Sequence, residues 1–215
     1  YRENLEQRLG NTQKMIRLLH DRAKSAPKRL VFAEADQMDV LKAAQIVFEE
    51  SIAIPILLGN RKKIKELCDL IEFDADVEVI DPKENEQNKI RNQYAELFWH
   101  SQKRKGYTLY DAQRLMRERN YFASMMIKNG DADAMISGYS RNYRSVVKPI
   151  LETIPKNKGV SRVAAANLML TKSGPLFLTD TTINVDPSSK ELAKIAQMTG
   201  QMAKIFGLEP MIGML

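Results

Sequence analysis

The feature that most constrains this chain is an alternation. From residue 28 to 138, short apolar runs trade places with stretches whose apolar residues recur at helical spacing. Arg29-Leu-Val-Phe-Ala-Glu34 reads as a buried strand, and Val40, Ala43, Ala44 and Val47 then share one side of a helix. Ile54-Pro-Ile-Leu-Leu58 is strand-like, followed by Ile64, Leu67, Cys68 and Ile71 at helical spacing. Val77-Glu-Val-Ile80 is a third strand, ended by Asp81-Pro82. Strand and helix in this rhythm build parallel βαβ units, with the helices packed on the sheet.

The remainder extends that plan. Residues 1–26 read as a polar helical lead-in, with Ile16, Leu19 and Ala23 on one face and a break at Gly10-Asn-Thr12. Residues 84–130 are helical almost throughout, interrupted at Gly106, with Thr108 and Asp111 placed as a capping pair. Ala132-Asp-Ala-Met-Ile-Ser137 returns as a strand, and Gly138 leads into a helix running to about Ile154. Pro155 to Gly159 marks the passage to a second domain with two strands, Val163–Leu170 and Leu176–Thr181, separated by Lys172-Ser-Gly-Pro175. A last helix is signed by Asp186 as cap, Pro187 at its first position and Gly207 as its stop. Its stripe runs through Leu192, Ile195, Ala196, Thr199, Met202, Ala203 and Phe206, and Met211-Ile-Gly-Met-Leu215 follows as a core strand. The chain opens on Tyr1 rather than Met and stops inside an apolar run, so it reads as an excerpt of something longer.

Composition narrows the function. Of 215 residues 44% are hydrophobic and 28% charged, which excludes a disordered tail and a fibre. One cysteine, Cys68, excludes a disulfide scaffold, fits a cytoplasmic compartment and lies on an apolar helical stripe as a core residue. No apolar run reaches the roughly 18–20 residues of a membrane span. The net charge of +6 is a small surplus of 33 Lys and Arg over 27 Asp and Glu. Its densest stretch, Gln102-Lys-Arg-Lys-Gly106, lacks the interleaved aromatics of a nucleic-acid platform, so small anionic ligands are the better expectation.

Ligands of open α/β sheets bind at the carboxyl ends of the strands, and Ile136-Ser137-Gly138 is the clearest such end. Unpaired N–H groups at a helix start there favour an anion, and Arg141, Arg144 and Lys148 align three cations along the helix. An ordinary turn with a solvated basic face has the same spacing. Lys103, Arg104 and Lys105 form a second cationic group, which as a solvated helix end also suits the helix dipole. Asp180-Thr-Thr-Ile-Asn-Val-Asp186 reads as turn and cap chemistry. There is no GxGxxG and no P-loop, and His20 and His100 have no triad neighbours.

Longer stretches carry a resemblance. Tyr121-Phe-Ala-Ser-Met-Met126, Gly130-Asp-Ala-Asp-Ala-Met-Ile-Ser-Gly138, Phe177-Leu-Thr-Asp-Thr-Thr-Ile-Asn-Val-Asp-Pro187, Glu191-Leu-Ala-Lys-Ile-Ala196 and Phe206-Gly-Leu-Glu-Pro210 resemble the phosphate acetyl/butyryl transferases. Tyr1–Gly10, Pro27–Asp36, Leu41–Val47 and Ile54–Gly59 are more similar to the phosphotransacetylase-like C-terminal region of large bacterial NADP-dependent malic enzymes. The resemblance implies an α/β fold: a three-layer parallel-sheet phosphotransacetylase-like domain and a truncated second α/β domain. In chain order it implies a helical linker over 1–26, domain I over 27–154 and the start of domain II over 155–215.

It also implies a function. The region would assemble a malic enzyme, which decarboxylates malate to pyruvate with NADP, into homo-oligomers of dimer size or larger. It would bind acetyl-CoA as an allosteric effector without being catalytic; the alternative is an active phosphate acyltransferase moving an acetyl group between CoA and phosphate. NADP and a divalent metal would belong to malic enzyme domains elsewhere on the polypeptide, and neither nucleic acid nor membrane is an expected partner. The residues that would hold acyl-CoA are Lys103, Arg104, Ser137, Gly138, Arg144 and Lys148. Lys148 before Pro149 stands where the family has arginine, and Tyr139-Ser-Arg-Asn-Tyr-Arg144 is bulkier and more cationic than the family's segment. The family's catalytic Ser-Arg pair and carboxylate fall beyond Leu215.

Overall fold

The structure, a computed structural model, describes residues 11–160, 162–171 and 174–214, with Asn11 and Thr12 described in the backbone only. The stretch Tyr1–Gly10, read as the start of a linker, lies outside the described residues, as do Lys172 and Ser173 of the expected loop and Leu215. The chain divides into two compact units. One is Ala23–Pro155; the other joins the chain up to Arg22 with Lys156 onward. Helix α1, Asn11–Ser25, crosses that division, and its buried side chain is Met15 rather than Ile16.

The Ala23–Pro155 unit is built on four parallel strands, β1 (Lys28–Phe32), β2 (Ala53–Leu58), β3 (Glu78–Ile80) and β4 (Ala134–Ile136), in the order β3-β2-β1-β4. Val31 pairs with Ile56 and Phe32 with Leu57, so successive residues of each strand go to opposite faces in step. Val31, Ile56, Leu58 and Ile80 join one core with Tyr94, Phe98, Met116 and Phe122. Phe32 and Leu57 join the other with Leu41, Ala44, Ile64 and Phe73. Two cores on one sheet make three layers, and burial on both faces is why these strands read as unbroken apolar runs.

One face is covered by α2 (Met38–Glu49) and α3 (Arg61–Leu70). The buried line of α2 is centred on Leu41 and Ala44, leaving Ala43 in solvent, so the stripe expected through Ala43 sits one position off. The other face is covered by α4 (Asn88–Gln102), α5 (Leu109–Leu115) and α6 (Arg119–Asn129). A 3₁₀ turn over Lys103–Lys105 ends at Gly106, whose φ of 91° is a left-handed conformation that glycine takes without strain. Thr108 and Asp111 form the expected capping box on α5. A second break, at Met116–Glu118, is not visible as a breaker in the sequence; Glu118 caps α6 by accepting from Asn120 N at 2.9 Å. Asn120 to Met126 are all buried, so α6 shows no polar face.

The helix after β4 corrects the sequence reading. Helix α7 is Tyr143–Thr153, capped by Asn142, and does not begin at Gly138. Residues 137–142 form a loop instead, and Arg141 lies in it rather than on the helix. Pro149 sits inside α7 and has no N–H to offer Ser145 O, which accepts the Asn120 side chain at 3.4 Å.

In the other unit, β5 (Ala166–Thr171) and β6 (Gly174–Thr179) are an antiparallel hairpin, and α8 is Ser189–Ile205. The start of α8 is capped by Ser188 and Glu191, two residues after the expected Asp186 and Pro187, because this pair closes a reciprocal capping box. Its end is as expected: Gly207, at φ 76°, donates to Lys204 O while Leu208 donates to Ala203 O, a Schellman stop. Met211–Met214 forms no strand and is exposed, so the expected core strand is absent from the described residues. That segment borders an apolar groove of about 530 Å³ between β6 and α8.

Candidate functional site

The strand order places a switch point at β1 and β4. From β1 the chain proceeds outward through β2 and β3, then returns to the other side of β1 as β4. Connections leaving neighbouring strands in opposite directions open a crevice at their carboxyl ends, where such sheets take ligands. Glu34 and Asp36 leave β1 at this point, Ser137 and Gly138 leave β4, and the start of α6 brings Arg119 and Asn120 beside them.

Glu34 organises the site. It is 3% exposed, and its Oε1 accepts Gly138 N at 2.7 Å and Tyr139 N at 3.0 Å. Its Oε2 accepts Ser140 N at 2.9 Å and the Ser140 hydroxyl. Burial pushes the carboxyl up, but hydrogen bonds from Ser140, Gly138 and Tyr139 outweigh it and bring the pKa down to about 2. Three successive backbone N–H groups thus wrap an anion, and the anion is the protein's own. This changes the reading of Ser137-Gly138: there is no open helix start here, and the N–H groups expected to face a ligand are engaged with Glu34.

Around it the polar groups are tightly arranged. Ser137 Oγ donates to Asn120 Oδ1 at 2.7 Å. Asp36 takes both arms of Arg119 at 2.6 Å each. Burial raises the Asp36 carboxyl, and the Arg119 guanidinium more than offsets this and holds it low. Gly59 leaves room for that carboxylate, since a Cβ there would stand 3.3 Å from Asp36. Tyr139 lays its hydroxyl on Asp39 while the side of its ring stays in solvent.

The other end of α7 is held separately. Glu152 accepts Tyr107 Oη at 2.9 Å and Tyr121 Oη at 2.6 Å, with Lys148 Nζ 3.8 Å away. Burial and the Glu152 carboxylate raise both phenols, which therefore stay protonated.

The six residues implied by the resemblance fall into two groups. Ser137 and Gly138 lie in the crevice, and Arg144 and Lys148 follow within two turns on α7. Lys103 and Arg104 are exposed in the turn after α4, with Lys103 Nζ 5.4 Å over the Trp99 ring. Gln102, which precedes them, reaches Glu152 O at the far end of α7, about 10 Å along the axis from Ser145. Glu34, Asp36 and Arg119 were not among the sequence candidates. Their signal was an acidic pair directly after a buried strand, at the edge where the switch-point rule points.

Elsewhere, Asp180 accepts N–H groups of Ala165, Thr182, Ile183 and Asn184 at 2.9–3.3 Å, the turn chemistry expected of that segment. Among the described residues no group of three or more His, Cys, Asp or Glu is placed to hold a metal, and no helix is long and apolar enough to cross a membrane.

Three layers around a parallel sheet, with a switch-point crevice between β1 and β4, define a doubly wound α/β protein. Residues 14–215 match the phosphate acetyl/butaryl transferase family, and the chain belongs to it. It is 34% identical to an NADP-dependent malic enzyme of Haemophilus influenzae over all of its own length, which is 29% of that protein. It is 33% identical to a phosphate acetyltransferase of Synechocystis, covering 90% of this chain and 28% of that one. The EutD phosphotransacetylase from Staphylococcus aureus superposes with a TM-score of 0.82 at 28% identity, over 93% of this chain and 59% of that one. A phosphotransacetylase from Streptococcus pyogenes gives the same score at 30% identity, over 92% and 60%. The chain thus spans less than a third of these two curated relatives.

Proposed function

We propose that this chain acts as a regulatory and assembly region of a cytoplasmic malic enzyme, binding acetyl-CoA as an effector and not catalysing acyl transfer. The observation that carries this reading is the engagement of the Gly138, Tyr139 and Ser140 N–H groups by Glu34. Catalysis of phosphoryl or acyl chemistry rewards rigid donors aimed at the reacting oxygens. Here those donors are turned inward, and the charge left for a ligand is on side chains: Arg144 in the first turn of α7, Lys148 a turn further along beside Glu152, and Lys103 and Arg104 in the turn after α4. Flexible cations spread over this distance suit the separated phosphates of coenzyme A better than one transferring group. Similarity to malic enzymes along the whole chain supports the same reading.

NADP, a divalent metal and the oxidative decarboxylation belong, in this proposal, to malic enzyme domains of the same polypeptide. Inhibition arises if acetyl-CoA prefers one state of a homo-oligomer over another. The test is acetyl-CoA inhibition of malate oxidation by the full-length enzyme, with Arg144→Ala and Lys148→Ala combined. The double variant should require at least ten-fold more acetyl-CoA; unchanged inhibition refutes the site. Similarity to phosphate acetyltransferases favours a second reading, acetyl transfer between CoA and phosphate, and acetyl phosphate formed from acetyl-CoA and phosphate would establish it.

A further inference from the structure

The β4–α7 loop carries an aromatic ring in an unusual position. Tyr139 is 59% exposed, yet it is held at both ends. Its backbone N–H is fixed 3.0 Å from Glu34, and its hydroxyl rests on Asp39 at the start of α2. The bond to the Asp39 carboxylate raises the phenol, so the ring stays neutral through the physiological range. An exposed tyrosine with a free ring normally samples several rotamers and must be ordered when a ligand arrives. This one is ordered beforehand, which removes most of that entropic penalty.

Two carboxylates, Glu34 and Asp39, hold it, and cations follow it along the chain. Arg141 lies two residues on, exposed in the same loop, and Arg144 and Lys148 follow on α7. Neither arginine side chain has a hydrogen bond or ion pair among the described residues. An ordered neutral ring with exposed arginines two and five residues further along matches a heterocyclic base carrying phosphates: the ring stacks on the base and the cations take the phosphates.

We propose that Tyr139 is the stacking platform for the purine of a nucleotide-bearing ligand, with Arg141 and Arg144 on its phosphates. This rests on the acyl-CoA reading of the crevice and deepens it, since it assigns the nucleotide end of the ligand to the β4–α7 loop and leaves the acyl end to other residues. It also gives a role to the bulk of Tyr139-Ser-Arg-Asn-Tyr-Arg144. Tyr139 then supplies the contact to the base, and Arg141 and Arg144 the contacts to its phosphates.

The test is calorimetry on the full chain with three probes: acetyl-CoA, adenosine 3′,5′-bisphosphate as the nucleotide end, and acetyl-phosphopantetheine, which lacks the base. Tyr139→Ala should weaken acetyl-CoA and the bisphosphate by between about 5- and 140-fold, the range of one base–aromatic stack. Tyr139→Phe, which keeps the ring and drops the Asp39 bond, should bind within about 3-fold of the original, and acetyl-phosphopantetheine should not distinguish the variants. Unchanged slow exchange of the Gly138 and Ser140 amides in Tyr139→Ala shows that the loop keeps its shape. Wild-type affinity of Tyr139→Ala for acetyl-CoA overturns the stacking proposal and leaves the acyl-CoA reading standing. Equal weakening by Ala and Phe, or equal weakening of the base-free probe, also overturns it. Absence of acetyl-CoA and bisphosphate binding in the unmodified chain overturns both.

Discussion

Glu34→Gln isolates the charge around which the β4–α7 loop is folded. Glutamine keeps the volume of the side chain, so packing at this 3%-exposed position is preserved. One amide oxygen can still accept Gly138 and Tyr139 N–H. The Ser140 hydroxyl can turn to accept, but the Ser140 N–H at 2.9 Å then faces an NH₂ donor. The carboxyl's fall from an ordinary 4.5 to about 2 sets the scale of the loss. At about 1.36 kcal/mol for each pKa unit, the anion contributes about 3 kcal/mol to the folded state at neutral pH. The folded-state pKa is depressed, so this contribution is full above the unfolded value and fades as pH falls toward 2. At pH 3 about 1.4 kcal/mol remains, which means the gap between the two proteins should contract by about 2 kcal/mol. Urea unfolding at pH 7 and pH 3, followed by Trp99 fluorescence, measures both gaps. Equal stability at pH 7, or a gap that does not narrow at pH 3, refutes the assignment of Glu34 as the loop's internal anion.

Two further outcomes follow from neighbouring contacts. Arg119→Ala leaves the buried Asp36 carboxylate without its two-armed partner and should destabilise by about 2 kcal/mol at pH 7, below the roughly 3–5 kcal/mol of a fully buried pair because Arg119 is partly exposed. Because Arg119 holds the Asp36 carboxyl low, thermal unfolding at pH 3 should show a smaller loss, and a pH-independent loss contradicts the pairing. Thr108→Ala removes half of the α5 capping box and should lower stability by about 1 kcal/mol. In an NMR titration, the Asp111 carboxyl, held below its ordinary range by the Thr108 hydroxyl and N–H, should rise part of the way back, since the N–H remains in the variant; an unmoved titration contradicts the box.

Much of the fold was legible because its signals are local. The apolar runs at Leu30–Phe32 and Ile56–Leu58 are strands buried on both faces, and Thr108 with Asp111 or Gly207 after α8 are chemical punctuation that acts over four residues. Misreadings occurred where a distant group competed with a local pattern. Gly138 follows a strand and precedes a helical stripe, yet Glu34, 104 residues earlier, draws its N–H into a loop and delays the helix to Tyr143. Asp186-Pro187 is a reasonable helix start, but Ser188 and Glu191 satisfy the same donors reciprocally. Met211–Met214 is apolar enough for a strand, and a strand also needs a neighbour to pair with, which the described residues do not provide.

The candidate site divides along the same line. Ser137-Gly138 at a strand end, and cations at Arg144 and Lys148, follow from residue types and spacing, and family resemblance adds the class of ligand. The sequence by itself determined the parallel α/β plan, the family and the strand end at Ser137-Gly138, because these depend on periodicity and on motifs a few residues long. Only the tertiary structure decided that β1 and β4 are neighbours, and therefore that Glu34 meets Gly138, Asp36 meets Arg119, and Tyr139 is pinned to Asp39. Those contacts join residues 83 to 104 positions apart, and no local pattern records which distant carboxylate will satisfy a given N–H.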